Sequence, residues 1–136
     1  MVQQTELCEM YLQKLAPLGD TSFKDDLLRR YGETKYVKDD KAISVLLEFD
    51  GGKASFGIYW GIKCGKNVHL SDDEIIQIIS YLQSNGCHRS VFPNDSTTNI
   101  HWRLWFQLGY NEPIEKALEE LNLLKQAVEL VGFEKR

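Results

Sequence analysis

Two alternating runs joined by Asp50-Gly51-Gly52 constrain this chain more than any other feature. In Ala42–Phe49 the apolar residues Ile43, Val45, Leu47 and Phe49 alternate with Ser44, Leu46 and Glu48. In Lys53–Lys63 Ala54, Phe56, Ile58, Trp60 and Ile62 alternate with Ser55, Gly57, Tyr59, Gly61 and Lys63. A period of two places successive side chains on opposite faces of a strand. Glycines between two such runs supply the positive φ of a tight turn. The pattern therefore predicts a β-hairpin with one strongly apolar face.

Around the hairpin the period changes. Leu7, Met10, Tyr11 and Leu15 recur at helical spacing and predict a helix over 2–16, stopped by Pro17 and Gly19. Phe23, Leu27 and Tyr31 predict a second helix over 22–31, capped by Asp20 or Thr21 and stopped at Gly32. Lys35–Lys38 reads as a short edge strand. Ser71-Asp72-Asp73-Glu74 is a capping box opening a helix that runs to about Ser84 and buries Ile75, Ile78, Ile79 and Leu82. Cys87–Phe92 reads as a short strand. Asn99–Leu108 alternates again, with Ile100, Trp102, Leu104 and Phe106 on one side and His101, Arg103, Trp105 and Gln107 on the other. A last helix over 113–131 carries the stripe Ile114, Ala117, Leu118, Leu121, Leu124, Val128 and Val131, with Pro113 in its first turn. Glu112 and Lys116 read as an i,i+4 pair. Glu115, Glu119, Glu120 and Glu129 read as its solvated face.

The order is α-α-β-β-β-α-(β)-β-α. It predicts an α+β fold with a mainly antiparallel sheet of about four to five strands packed by about four helices. The 136 residues suit a single globular domain spanning 1–136. No internal repeat and no Pro-, Gly- or Ser-rich linker divides them.

Charge and cysteine usage narrow the function classes. A net charge of -4 and a pI near 5.4 argue against a general electrostatic nucleic-acid binder. The N-terminal residues lack the basic and apolar regions of a signal peptide, and no apolar run approaches a membrane span of roughly 20 residues. Three cysteines, Cys8, Cys64 and Cys87, show no CxxC spacing and fit a reducing compartment. The expected location is the cytoplasm.

The sheet face opposite the apolar one is the candidate binding surface. Alternation gives it Ser44, Leu46, Glu48, Ser55, Gly57, Tyr59, Gly61, Lys63, His101, Arg103, Trp105 and Gln107. Aromatic residues and arginine are enriched at binding hot spots. Tyr59, Lys63, His101, Arg103, Trp105 and Gln107 are therefore the candidate binding residues. The competing reading is that a helix covers this face and the glycines admit it.

Catalytic constellations are weak by comparison. Glu33-Thr34-Lys35 has the Glu-x-Lys spacing with which metal-dependent nucleases position Mg²⁺ and water, and Asp25 or Asp26 is the nearest upstream carboxylate. Cys64, His69, Cys87 and His88 lack the paired spacing of a structural zinc site. There is no Walker A, GxGxxG, HExxH or nucleophile elbow, and nothing calls for a cofactor. The favoured expectation is a small acidic protein-binding module, such as an inhibitor or immunity-type protein that neutralises a basic partner, for example a nuclease. Two alternatives remain: a metal-dependent nuclease using Asp26, Glu33 and Lys35, and a nucleotide- or RNA-binding domain using Tyr59, Arg103 and Trp105. A homodimer through the aromatic face is a third partner arrangement.

Overall fold

A computed structural model describes residues 21–23, 28–50, 57–65, 68–93, 102–109 and 111–136. The predicted helix over 2–16, Cys8, Asp25, Asp26, the turn at Gly51-Gly52 and His101 lie outside the described residues.

The fold is α+β. Its strands are β1 (Thr21–Phe23), β2 (Leu28–Lys38), β3 (Lys41–Asp50), β4 (Gly57–Cys64), β5 (Phe92–Pro93), β6 (Trp102–Gln107) and β7 (Glu134–Lys135). They form one antiparallel sheet in the order β1-β2-β3-β4-β6-β5, with β7 also pairing with β2. Two helices belong to the described residues, α1 (Asp72–Ser84) and α2 (Ile114–Leu130). Helix α2 packs on β3 and β4, and α1 packs beside α2. None of the described helices is long and apolar enough to cross a membrane.

The predicted hairpin is β3–β4, with Ile43 opposite Cys64, Val45 opposite Ile62 and Leu47 opposite Trp60. Its apolar face forms the core with Tyr36, Leu104, Phe106 and the buried stripe of α2. Trp60, Val45, Leu47 and Ile62 are completely inaccessible. Burial on this scale is the main stabilising term for a sheet that packs against helices.

The predicted helix over 22–31 is corrected. Thr21–Phe23 and Leu28–Tyr31 are paired strands, Thr21 opposite Tyr31 and Phe23 opposite Arg29. Leu28–Tyr31 also pairs with β3 as far as Asp50. The four-residue spacing of Phe23, Leu27 and Tyr31 mimics a helical stripe, but pairing along the long β3 strand overrides so short a local pattern. Gly32 has the positive φ expected of a helix stop, 63°. It serves instead in a bulge, where the β2–β3 register shifts between Tyr31 and Thr34. Helix stops and bulges both exploit glycine in the left-handed region, so the residue was informative and the element was not.

Three smaller corrections follow. The strand predicted over Cys87–Phe92 is reduced to Phe92–Pro93. Residues 87–91 run without regular pairing, and Cys87 and Arg89 hydrogen-bond to Glu120 of α2. Tyr36 and Val37 pair with Lys135 and Glu134 of β7, a strand too short and polar to read from sequence.

Trp102 is the third correction. Alternation places it with Leu104 and Phe106. In the structure Ile62 pairs with Leu104 but Lys63 pairs with Trp102, so Arg103 is an extra residue in β6. One inserted residue inverts the facing of everything before it. Trp102 therefore shares the second face with Lys63, whose Nζ lies 4.6 Å from its ring centroid.

The capping box forms as predicted. Glu74 N–H donates to Ser71 Oγ, and Ser71 N–H donates to Glu74 Oε1. Glu74 itself is buried, which the sequence did not suggest. Lys38 and Lys41 flank the β2–β3 turn and reach Glu74 at 2.8 and 2.6 Å. Lys38 also donates to the Val131 carbonyl at the end of α2. One carboxylate thus joins the hairpin turn, the start of α1 and the end of α2. Burial pushes its pKa up, but the hydrogen bonds from Lys38, Lys41 and the Ser71 backbone outweigh burial and hold it at about 2. A carboxyl depressed in the folded state stabilises the fold above its unfolded pKa and loses that contribution as pH falls through the folded value. Stability is expected to fall between about pH 4.5 and 2. In a Glu74→Gln variant this acid-dependent loss should shrink in urea titrations across that range. An identical pH profile in both proteins would show that Glu74 does not carry it.

Tyr36 presents the opposite case. It is completely buried and its hydroxyl has no hydrogen-bond partner among the described residues. Burial, with a smaller contribution from Glu129, raises its pKa to about 12. An unsatisfied buried hydroxyl costs free energy that a phenyl ring avoids. Tyr36→Phe is expected to leave stability unchanged or raise it by up to about 1 kcal/mol. Destabilisation in thermal unfolding would reveal a partner for the hydroxyl.

Candidate functional site

The second sheet face is built from β3, β4 and β6. Tyr59 pairs across the sheet with Gln107, and Gly61 with Trp105. Tyr59 and Trp105 are half-buried and meet edge-to-face, with ring centroids 5.5 Å apart and planes at 73°. This geometry places one ring's positive edge on the other's negative face. Gln107 is exposed beside them.

The two glycines explain how the rings are accommodated. A Cβ at Gly57 would collide with the ring of Tyr59, so Tyr59 lies over the bare backbone there. At Gly61 a Cβ would run into the Leu104 carbonyl and come within 2.7 Å of Trp105 Cα. The small residues do admit a close approach, and at Gly61 the approaching backbone is the neighbouring strand β6.

Lys63 is held within the face. It forms an ion pair of 2.5 Å with Glu48 and lies over Trp102. Leu46 is completely buried, and Glu48 and Trp102 are each 6% exposed. The face is therefore closed at Leu46, Glu48 and Trp102 and partly accessible at Tyr59, Trp105 and Gln107. The structure thus brings Tyr59, Trp105 and Gln107 together and sets Lys63 beside Glu48 and Trp102. Arg103 is half-buried in the β6 bulge, and His101 lies outside the described residues.

Glu33 and Lys35 stand exposed on β2, while Asp26 lies outside the described residues. Cys64 and Cys87 are buried in the core, while His69 and His88 are exposed. Among the described residues, no group of three or more His, Cys, Asp or Glu side chains is placed to hold a metal ion. Burial raises the Cys64 thiol to about 11.

A second cluster went unrecognised in the sequence. Arg89 donates through Nε and Nη2 to Glu120 and through Nη1 and Nη2 to Glu112, at 2.6 to 2.8 Å. Its remaining Nη1 bond goes to the Gln107 carbonyl at 3.0 Å. All five guanidinium N–H groups are thereby used. The guanidinium also sits 5.0 Å from the Trp60 ring centroid. Glu120 is 5% exposed, which corrects its reading as part of a solvated helix face. Glu112 likewise serves Arg89, and accepts from the Gly109 N–H as well.

The Arg89 hydrogen bonds, against burial, hold Glu112 at about 2. For Glu120 burial works upward, but bonds from Arg89 and the Cys87 thiol bring its pKa down. Burial and then the Glu120 carboxylate raise the Cys87 thiol to about 11. A thiol so poorly ionised is a weak nucleophile. The cluster ties the segment after α1, the end of β6 and the middle of α2 into one unit. Its chemistry is structural: a saturated arginine and two occupied carboxylates have little capacity left for a substrate. The adjacency of Cys87 and Arg89 to a turn, with acids at 112 and 120, was the available signal.

Comparison with protein-family models, with curated proteins and with solved structures finds no match.

Proposed function

We propose that the chain is a small acidic protein-binding module that uses the Tyr59–Trp105–Gln107 end of its second sheet face. The carrying observation is the edge-to-face pair of half-buried aromatic rings, held in place by Gly57 and the β4–β6 register. Rigid aromatic side chains of this kind supply large contact area at low entropic cost. The net charge of -4 suits a basic partner, through steering and complementarity at the rim. An inhibitor or immunity-type role against a basic enzyme such as a nuclease fits that combination, and a cytoplasmic setting fits the unpaired buried cysteines Cys64 and Cys87.

The 73° angle between the rings favours this reading over nucleotide binding. Two rings meeting edge-to-face do not form the parallel slot in which a base is sandwiched. The nuclease reading rests on Glu33 and Lys35, both exposed on β2, with its upstream acid Asp26 outside the described residues.

The test is affinity capture of the tagged protein from the cells that express it, followed by light scattering of the purified complex. Trp105→Ala should weaken that complex by about 2 kcal/mol, roughly 30-fold, while the far-UV spectrum and thermal midpoint stay close to wild type. Equal affinity in the variant would reject this face as the contact. Loss of the fold would make Trp105 a core residue instead. A monomer with no protein partner would move the weight to small ligands and catalysis.

A further inference from the structure

We draw no further inference here: the strongest candidate, the half-buried Lys125 lying over the Gly32 bulge of β2 near Lys135, rests only on the lowered pKa of that one lysine, whose charge Glu129 offsets from the next turn of the same helix.

Discussion

Replacing Arg89 with methionine is expected to destabilise the protein by about 3–5 kcal/mol, the cost of leaving a buried charge without its partner. Glu120 would lose two hydrogen bonds while remaining almost fully enclosed, and Glu112 would lose two more. Arg89→Lys should recover little of this loss. Lysine offers three donors on a point charge, where the site uses five on a planar fork. The double variant Arg89→Met, Glu120→Gln should be more stable than the single one, because it removes the stranded charge. The difference between wild type and Arg89→Met should also narrow as pH falls from about 4.5 towards 2. The carboxylates contribute through their depressed pKa values, and protonation cancels that contribution in the wild type. Urea denaturation at several pH values measures all of this. A single variant within about 0.5 kcal/mol of wild type would show that the cluster is a surface ion network of little weight.

Gly61→Ala is expected to cost about 3 kcal/mol, the upper part of the range for forcing an extra methyl into a packed site. The added Cβ meets backbone atoms of Leu104 and Trp105, which no rotamer change can move away. Strand β6 would have to withdraw from β4, and the Tyr59–Trp105 pair would open with it. Gly65→Ala is the matched control, since among the described residues a Cβ there meets only Val68, at 3.7 Å. The expected pattern is a lowered urea midpoint for Gly61→Ala with an unchanged slope, and no shift for Gly65→Ala. Equal midpoints for the two variants would mean that β6 does not approach β4 as closely as described. Because the aromatic pair depends on this approach, Gly61→Ala should also weaken any complex made through Trp105.

What could be read from the sequence is what local chemistry determines. Ser71 and Glu74 are three residues apart and satisfy each other's backbone N–H, so their cap needs no knowledge of the rest of the chain. The β3–β4 hairpin is legible for a similar reason: its alternation is long and its apolar set is consistent. The helix misread over 22–31 failed where only three residues carried the pattern, and a long neighbouring strand offered more pairing than a short helix could. Arg89 and Glu120 are 31 residues apart, and nothing local distinguishes Glu120 from the solvated acids around it. Its burial follows from where α2 lies on the sheet. Trp102 was misplaced by a single inserted residue, Arg103, whose effect on facing depends on the partner strand. Of the candidate site, Tyr59, Trp105 and Gln107 were legible by parity. The occupation of Lys63 by Glu48 and Trp102 became visible only once the register was known.

The arrangement of the outer strands bears on how copies of this protein can meet. Strand β1 covers Arg29–Tyr31 of β2, and β7 covers Tyr36 and Val37 of the same strand. The Lys35 carbonyl between them accepts from the Arg136 N–H. At the opposite side β5 shields Leu104 and Trp105 and includes Pro93, which has no N–H to offer, while Arg89 occupies the Gln107 carbonyl. Unpaired strand edges are the templates on which sheets from separate molecules grow. Among the described residues both margins are interrupted or already taken, so a continuous intermolecular sheet has little backbone to extend. If this protein self-associates, its described architecture directs that association to side-chain surfaces, where a substitution such as Trp105→Ala can disrupt it, and away from main-chain pairing, which no side-chain change would easily undo.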